Sequence, residues 1–277
     1  MTASLERRLK ELEEENLRLK ELAGRSGLLK ELQEENLRLK ESLRKMKDYI
    51  FTTFGSYLTQ EVLEDLLQKK NGFTISGERR NVTILFSDLR NSTELSETMD
   101  AVAFIKMLNH FLEEMIEIIN AWQGNILDFV GDSIVVVFGA PRINECSARD
   151  AVACAVAMQR RMEAVNEWNT AKGYPEIAMG IGIHTGEAIL GNIGSITRTK
   201  YDMIGRNVNL TSRIQGYTKG GQILISTETL DAAGDMVVEN KAGSIVVRPK
   251  GIKTDVLLHD IVGFGKKMTH SPDEPEV

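Results

Sequence analysis

The chain has 277 residues, 42% hydrophobic and 27% charged, which suffices for one large globular domain with an accessory element. The 40 acidic and 34 basic side chains give a net charge of −6 without a basic stripe, which argues against nucleic acid as a partner. No stretch reaches about 18 apolar residues, and the start MTASLERRLK lacks the apolar core of a signal peptide. We therefore predict a cytoplasmic protein with no membrane segment in this chain.

The N-terminal residues 5–50 follow a heptad pattern, with core residues spaced alternately three and four apart. The core positions are Leu9, Leu12, Asn16, Leu19, Leu29, Leu32, Asn36, Leu39, Leu43, Met46 and Ile50. An asparagine at the first core position is satisfied only in a particular register, typically that of a parallel dimer. The pattern predicts a coiled coil over residues 1–48 that pairs two copies. A single solvated helix would not explain the leucines.

A near-exact repeat lies inside this segment. ELEEENLRLKE at 11–21 recurs as ELQEENLRLKE at 31–41, an offset one residue short of three heptads. Gly24 and Gly27 lie where the register must slip, and each glycine in a helix costs roughly 1 kcal/mol relative to alanine. We expect a local break or overwinding there. Such a repeat is also typical of an engineered fusion, and the sequence leaves its origin open.

Residues 49–77 are predicted to connect the coil to a globular domain at 78–264, through a helix from Tyr49 to Leu67. Strands are predicted at 81–86, 125–130, 133–138, 177–184, 187–193 and 222–226, helices near 100–122, 145–170 and 206–216, and small strands as far as Ile261. This order predicts an α+β fold with helices on one face of a mainly antiparallel sheet. The acidic, proline-containing tail at 265–277 is predicted to be disordered.

Two aspartates each end or interrupt an apolar strand. Asp88 follows VTILFS, and Asp132 lies in the turn between NILDFV and SIVVVF. If the first strand lies beside that hairpin, both carboxylates converge on one point, where a hard divalent ion such as Mg²⁺ would satisfy their oxygens. Alternatively, Asp132 caps the turn that follows Gly131, and Asp88 caps the next helix. The residues alone leave both interpretations open.

Four blocks, in order and compactly spaced, carry a family resemblance. They are ERRNVTILFSDLRNST at 78–93, GNILDFVGDSIVVVFGAP at 124–141, MGIGIHTGEAILGNIGS at 179–195 and YDMIGRNVNLTSRIQ at 201–215. Together they resemble the signature blocks of class III adenylyl and guanylyl cyclases, from about residue 78 to residue 262. The resemblance implies a ferredoxin-like (palm-type) α/β sandwich that forms a cyclic 3′,5′-nucleotide from a nucleoside triphosphate.

The resemblance also implies a metal site. Asp88 and Asp132 match the two metal-binding aspartates of the family, and the Leu89 carbonyl would add a ligand. Cyclisation requires the ribose 3′-oxygen to attack the α-phosphorus while pyrophosphate leaves, and a pair of metal ions assists by activating the hydroxyl and neutralising the triphosphate. We therefore expect two Mg²⁺ (or Mn²⁺) ions as cofactors.

The block at 201–215 supplies nucleotide-binding positions by the same resemblance. Asn209 matches the asparagine that orients the ribose, and Arg213 matches the arginine that stabilises the transition state. Asp202 matches a base-reading position. Without the surrounding block, Arg213 would be interpreted as a surface salt bridge. His184, in GIGIHTG, is expected to be a satisfied core histidine without a catalytic role.

The sequence departs from the family at the phosphate-binding positions. Asn91 and Ser92 replace the glycine and phenylalanine that often follow the first metal aspartate, so with Thr93 they form an altered phosphate loop whose backbone amides are retained. The lysine that usually touches the triphosphate is displaced. Ile252 stands at its expected position, and the adjacent Lys253 is the candidate replacement.

The base-reading positions also depart from the family, because Asp128 stands where adenylyl cyclases usually carry a lysine. Ionised Asp202 suits the N6 amine of adenine, whereas ionised Asp128 suits the N1 and N2 donors of guanine. Asp128 could be protonated or turned toward Lys200 or Arg206, while a guanine O6 that faces Asp202 has no evident donor. We predict ATP as the substrate, with GTP as the alternative and modest discrimination.

The resemblance implies a partner, because family members form head-to-tail dimers with shared sites. One chain provides the metal ligands, and the other provides Asp202, Asn209 and Arg213. This chain contains both sets, so the predicted partner is a second copy, joined through the coiled coil and the catalytic domains. The alternative is an inactive cyclase-like module for dimerisation or sensing, which the departures at Asp128 and Ile252 permit.

Overall fold

The structure is a computed structural model that describes residues 2–22, 27–54, 77–195, 198–252, 254–265 and 268–269. The chain forms two compact units, of which one contains the N-terminal helices and the other contains the sheet. Within these described ranges, no helix is long and apolar enough to cross a membrane. Most of the predicted connecting helix falls at 55–76, outside the described residues.

The N-terminal unit contains α1 (Thr2–Leu22) and α2 (Gly27–Phe54). The predicted helical conformation of this segment is therefore present on both sides of residues 23–26. The two helices pack against each other within one chain, where Lys40 Nζ of α2 lies 3.9 Å from Glu13 Oε1 of α1. The two copies of the sequence repeat thus lie on different helices.

The heptad core positions are only partly covered by this packing. Leu12 and Asn36 are buried, whereas Leu32, Leu39 and Met46 are exposed. Asn36 Oδ1 is also buried without a hydrogen-bond partner among the described residues. Within one chain, the helices therefore leave apolar surface exposed to solvent and the Asn36 side-chain oxygen without a hydrogen bond. The parallel pairing of two copies stays a prediction.

The second unit contains the remaining elements. They are β1 (Gly77–Leu89), α3 (Ser92–Thr98), α4 (Ala101–Ala121), β2 (Asn125–Val130), β3 (Ser133–Phe138), α5 (Ser147–Ala171), β4 (Met179–Ser195), β5 (Arg198–Ile204), α6 (Arg206–Gly216), β6 (Ile223–Ser226), α7 (Thr227–Ala233), β7 (Val237–Glu239), β8 (Ile245–Val247), β9 (Val256–Phe264) and β10 (Met268–Thr269).

The strands form one sheet in the order β10-β9-β6-β4-β1-β3-β2, with β5 paired to β4 and with β7 and β8 paired to β9. Strand β1 is antiparallel to both β3 and β4, and β6 is antiparallel to β9. Only β4 and β6 are a parallel pair among the registers that the described strands define. The predicted α+β fold with a mainly antiparallel sheet is confirmed.

Helices α4 and α5 cover one face of this sheet. Helix α4 begins at Asp100, whose carboxylate accepts hydrogen bonds from the backbone N–H groups of Val102 and Ala103. Its apolar residues recur every three or four positions, so one stripe packs on the sheet. The buried stripe consists of Met107, Phe111, Met115, Ile118 and Ile119. Alternate residues of β1 and β4, including Leu85 and Ile181, complete this core.

Helix α6 lies on the other face of β4, which corrects the expectation of helices on one face. Ile181 and Ile183 point into the core beneath α4 and α5, so Gly182 between them faces the opposite way. A Cβ added to Gly182 would lie 2.6 Å from Gln215 Cα of α6. The absence of a side chain therefore allows α6 to lie directly on the strand.

Several elements differ from the sequence-based expectations. The strands predicted at 177–184 and 187–193 are one strand, β4, because Gly186 continues the ladder opposite Val82 of β1. The short elements α3, β5 and α7 were not predicted, since segments of about seven residues carry little periodicity. The predicted disordered tail from residue 265 includes β10, which pairs with β9, and residues 270–277 lie outside the described residues.

Candidate active site

Asp88 lies near the end of β1, opposite Gly180 of β4. Its Oδ1 accepts a hydrogen bond from Ser133 Oγ, and its Oδ2 accepts one from Arg90 Nη2 at 3.3 Å. The N-cap of α3 is Asn91, not Asp88. The structural alternative for Asp88, a helix cap, is therefore wrong, and its carboxylate is held over the end of the sheet.

Asp132 lies in the two-residue turn between β2 and β3. Gly131 precedes it with a φ of 66°, a conformation that glycine adopts without steric cost. The Asp132 Oδ2 atom accepts a hydrogen bond from the backbone N–H of Leu89 at 3.0 Å. The carboxylate thus crosses from the hairpin to the end of β1, next to Asp88. The convergence of the two aspartates that the sequence predicted is present.

The electrostatics of this pair follow from its geometry. Burial raises the pKa of Asp88 most strongly, and the negative charge of Asp132 raises it further. The hydrogen bond from Ser133 and the positive charge of Arg90 lower the pKa of Asp88 but do not cancel the rise. Two half-buried carboxylates side by side therefore repel each other, and a divalent cation between them would relieve that repulsion.

The donor set fits Mg²⁺ or Mn²⁺. Asp88, Asp132 and the Leu89 carbonyl offer hard oxygen ligands, which these ions prefer. In the described part of the chain, no group of three or more His, Cys, Asp or Glu side chains could hold a metal ion. With two carboxylates and one carbonyl, the protein would supply few ligands, as is usual for Mg²⁺ bound together with substrate phosphates.

Arg90 is a residue that the sequence reasoning missed. Besides its contact with Asp88, its Nη1 donates to the Thr218 carbonyl at 3.5 Å, and its backbone N–H donates to the Ala178 carbonyl at 2.7 Å. The guanidinium thus joins the end of β1 to the segment after α6. The sequence shows a basic residue two positions after the first aspartate. The direction in which its side chain points, however, depends on the turn between β1 and α3.

The predicted phosphate loop begins directly after Asp88 and Leu89. Asn91 adopts a left-handed conformation with a φ of 60°, which asparagine tolerates better than most residues. Ser92 and Thr93 open α3, and the first N–H groups of a helix have no intrahelical acceptor. Asn91, Ser92 and Thr93 are therefore placed beside the aspartate pair, with backbone donors at the start of the helix.

A second cluster joins the two predicted base-reading aspartates through a lysine. Lys200 Nζ donates to Asp128 Oδ2 at 2.6 Å and lies 3.4 Å from Asp202 Oδ2. Asp128 is on β2 and the other two residues are on β5, so the cluster depends on the sheet and on an element that the sequence did not predict. Of the two bases considered for Asp128, the structure selects Lys200 rather than Arg206.

The charge state of this cluster follows from its contacts. Partial burial lowers the pKa of Lys200, but the hydrogen bond to Asp128 and the charge of Asp202 outweigh burial, so the pKa is raised overall. Lys200 is therefore a permanent ammonium at neutral pH. The cluster presents one strong donor flanked by two carboxylate acceptors.

Asn209 and Arg213 lie four residues apart on α6 and therefore on one side of it. Among the described residues, neither side chain forms a hydrogen bond or an ion pair. The surface salt bridge that was the structural alternative for Arg213 is thus not formed within this part of the chain. The Arg213 guanidinium lies near Gly251, where an added Cβ would be 3.6 Å from Nη1.

Ile252, where the resemblance led us to expect the triphosphate lysine, is buried. Ile252 is 6% exposed and packs with Leu210, Ile214 and Leu258 in a small apolar core under α6. Ile252 therefore supports the helix that carries Arg213 and does not face a ligand. Lys253, the proposed substitute, lies outside the described residues, so its role stays a prediction.

Comparison with known proteins identifies the family. The family model of the adenylate and guanylate cyclase catalytic domain matches residues 75–265. The chain belongs to this family. A curated relative is Adenylate cyclase 1 of Rhizobium meliloti (strain 1021), which is 31% identical over 80% of this chain and 33% of the relative. The adenylate cyclase of Anabaena cylindrica is 36% identical over 53% of this chain and 30% of its own length.

Solved structures agree with this assignment. The guanylyl cyclase Cya2 is 46% identical, with a TM-score of 0.69, and the match covers 71% of this chain and 100% of that one. The adenylyl cyclase CyaB from P. aeruginosa is 35% identical, with a TM-score of 0.66, over 69% of this chain and 98% of that one. The predicted class III family and palm-type fold are confirmed. The chain spans about a third of the length of the curated relatives it matches.

Proposed function

We propose that this cyclase domain converts a purine nucleoside triphosphate into its 3′,5′-cyclic monophosphate and pyrophosphate. The observation that supports this most directly is the pairing of Asp88 and Asp132 at the end of β1, held by Ser133 and by the Leu89 amide. In the reaction, the 3′-oxygen forms a bond to the α-phosphorus and loses its proton, while the bond from the α-phosphorus to the bridging oxygen breaks.

Asp88, Asp132 and the Leu89 carbonyl would hold two Mg²⁺ or Mn²⁺ ions, which would acidify the 3′-hydroxyl and neutralise the triphosphate. The first backbone N–H groups of α3, after Asn91, would bind phosphate oxygens, since such donors suit anions. Asn209 would orient the ribose. Arg213 would bind the phosphoryl oxygens as negative charge develops on them, and its planar fork suits that geometry.

Two copies of the chain would complete two sites. Within the described residues, no hydrogen bond or ion pair joins the aspartate pair to Asn209 or Arg213, and both of these side chains are without partners. A head-to-tail dimer would place α6 of one copy over the aspartate pair of the other, so each site would contain both sets. We also propose that the N-terminal heptads contribute to this dimer.

We propose ATP as the better substrate. Adenine needs an acceptor for its N6 amine and a donor to N1, which Asp202 and the Lys200 ammonium would provide. Asp202 is the more available carboxylate, because its contact with Lys200 is 3.4 Å, whereas Asp128 is paired to Lys200 at 2.6 Å. Binding adenine would therefore leave the shorter ion pair intact.

GTP is the second candidate, and one observation favours it. The sequence-based argument against guanine was the lack of a donor for O6, and Lys200 is such a donor. Asp128 would then accept from guanine N1 and N2. Guanine binding would thus require Asp128 to give up its 2.6 Å contact with Lys200 and to accept hydrogen bonds from the base instead. We expect both purines to react, with discrimination no greater than about 150-fold, equivalent to about 3 kcal/mol.

The test is an assay of the purified chain with ATP, GTP, CTP and UTP, with Mg²⁺ or Mn²⁺, and with identification of the products by mass. The expected result is a cyclic purine nucleotide and pyrophosphate that disappear when a chelator removes the metal. An Asp88→Ala chain serves as the control for contaminating cyclases. If the wild type forms no more product than this control, the proposed function is wrong.

A further inference from the structure

The face of β4 that contacts α6 consists largely of glycine. Besides Gly182, an added Cβ at Gly186 would lie 2.9 Å from Asn207 Cγ, and one at Gly180 would lie 3.0 Å from Thr218 Cβ, just after the helix. Such a surface brings the helix close, but it has few side chains that could interlock with it. The position of α6 along the strand must therefore depend on other contacts than interlocking side chains of this face.

His184 is the side chain that projects from this face between Gly182 and Gly186. It is 3% exposed, and both ring nitrogens are engaged. Nε2 lies 3.2 Å from Asn207 Oδ1 in the first turn of α6, and Nδ1 lies 2.8 Å from Ser226 Oγ at the end of β6. The imidazole thus connects two sheet strands to the helix that carries Asn209.

The hydrogen-bond directions select one neutral tautomer of His184. Asn207 Nδ2 donates to the Glu187 carbonyl at 2.9 Å, so Asn207 Oδ1 faces the imidazole and must accept from Nε2–H. Ser226 Oγ then donates to the unprotonated Nδ1. Burial lowers the pKa of His184 and outweighs the opposing effects of Asn207 and of the Glu228 carboxylate 3.8 Å from Nδ1.

The support behind the imidazole is a chain of buried hydroxyl groups. Thr185 Oγ1 donates to Thr229 Oγ1 at 3.1 Å, and Thr229 Oγ1 lies 3.3 Å from Ser226 Oγ. Thr83 Oγ1 on β1 lies 3.0 Å from Thr185 Oγ1. With Thr229 donating to Ser226, each bond points toward His184. The ring is therefore fixed by groups that belong to β1, β4, β6 and α7.

We infer that His184 is a positioning residue of the cyclase: by holding Asn207 it fixes α6 along β4 and so aims Asn209 and Arg213 at the nucleotide. Asn207 is two residues before Asn209, and it also donates to the Glu187 carbonyl of β4, so this side chain, which His184 holds, ties the first turn of α6 to the strand. Small displacements of groups that act on a transition state cause large losses of rate. The inference rests on the proposed function for its kinetic part only.

The test exploits two amides of different length. The glutamine amide of His184→Gln reaches the position of Nε2 and can still donate to Asn207, whereas the asparagine amide of His184→Asn reaches only the position of Nδ1. For His184→Asn we expect kcat to fall about 10- to 100-fold with KM within about threefold, because substrate contacts outside α6 are kept. For His184→Gln we expect kcat within about threefold of wild type, a rescue by the longer amide.

His259 offers a matched control. It is also buried, and its nitrogens lie 2.8 Å from Glu239 Oε2 and 3.1 Å from Thr227 Oγ1, so it has no hydrogen bond to α6. His259→Asn makes the same chemical change, and kcat should stay within about twofold of wild type. Equal losses of kcat in His184→Asn and His184→Gln, or in His184→Asn and His259→Asn, would overturn the inference.

Asn207 provides a second route if His184→Asn does not fold. Asn207→Leu removes the acceptor for Nε2–H together with the donor to the Glu187 carbonyl, so its loss of kcat should be at least as large as that of His184→Asn. Because Asn207→Leu already lacks the hydrogen bond to His184, the double variant His184→Asn/Asn207→Leu should be no worse than Asn207→Leu alone. Additive losses would contradict the inference.

A measurement that needs no turnover separates this inference from the proposed function. Hydrogen exchange of the backbone amides of 209–214, which can bond within α6, should be at least about fivefold faster in His184→Asn than in wild type, and unchanged in His184→Gln and His259→Asn. Exchange that is equally protected in all four proteins would overturn the inference even if cyclic nucleotide is formed. Selective loosening in His184→Asn would support the inference even if the wild type proved inactive.

Discussion

The two halves of the proposed site, the aspartate pair that would bind metal (the metal half) and the α6 residues that would orient the nucleotide (the orienting half), are held in place by different means. Asp88 and Asp132 are attached to the sheet itself, one at the end of β1 and one in the β2–β3 turn, and hydrogen bonds to Ser133 and to the Leu89 amide aim them. Asn209 and Arg213 are carried by a helix that rests on glycine. The first half is preorganised by strand pairing, whereas the second half depends on how well one helix is docked.

The largest effect should come from the metal half. Asp132→Ala removes one of two carboxylates and the acceptor for the Leu89 amide, so kcat should fall at least about 100-fold, to background. The measurement is product formation at saturating Mn²⁺, with Asp231→Ala, an exposed aspartate on α7, as the control. Asp132→Ala activity within tenfold of wild type would contradict the metal assignment.

The two halves should complement each other between chains. An Asp88→Ala chain and an Arg213→Ala chain are each expected to be inactive, but a mixed dimer would hold one intact site. Random exchange of equal amounts gives half mixed dimers, so activity should recover to about a quarter of wild type. If labelled subunits exchange and activity does not return, the head-to-tail arrangement is wrong.

Base choice should respond to the Asp128–Lys200–Asp202 cluster. Asp202→Asn replaces the acceptor for adenine N6 and should shift the ratio of kcat/KM toward GTP, by about 5- to 150-fold. Asp128→Asn is the matched change, and it should shift the ratio toward ATP because guanine loses its acceptor. Shifts of the same sign in both variants would mean that the two carboxylates do not read opposite purines.

The docking of α6 can be broken without touching a site residue. In Gly182→Ala the added methyl would overlap the Gln215 backbone, which should lower the free energy of unfolding by about 1–3 kcal/mol and reduce kcat. Gly216→Ala is the control, because an added Cβ there has nothing within 4 Å, and it should be neutral or slightly stabilising. Thermal melts and turnover of both chains test this. Equal stability would show that α6 adjusts at little cost.

The N-terminal helices should have the smallest effect. A chain beginning at Tyr49 should match the full chain at micromolar concentration and lose activity only on dilution, because a tether acts by raising effective concentration, to about millimolar for short linkers. Turnover per molecule measured down to nanomolar protein tests this. Unchanged activity of the shortened chain at nanomolar concentration would show that the catalytic domains alone hold the pair together.

The sequence predicted the convergence of Asp88 and Asp132 better than the surroundings of the base-reading positions, for a physical reason. Asp88 and Asp132 each interrupt an apolar strand, and the pairing of β1 with β3 that joins them is between long, strongly patterned segments. Lys200 lies on β5, a seven-residue strand of mixed character, so the cluster with Asp128 could only be proposed as one of two options. Arg90 was missed because its direction is determined by a turn.

The sequence also could not predict what packs on each of the two faces of β4. GIGIHTG predicts a buried strand, but alternation of glycine with apolar residues does not say that a helix occupies the glycine face. His184 was correctly predicted to be a satisfied core histidine. Its partner Asn207 lies 23 residues away, and nothing in the local pattern connects the two.

If two copies pair through the heptads, as proposed, the packing of α1 on α2 within each chain would compete with that pairing. A second copy can use Leu12 and Asn36 as interface residues only after the helix that already buries them has moved away. The measured association constant of the N-terminal segments would then be the product of an opening equilibrium and an intrinsic affinity. Lys40→Ala, which removes the contact with Glu13, would consequently favour self-association, by no more than about 1 kcal/mol because Glu13 is exposed.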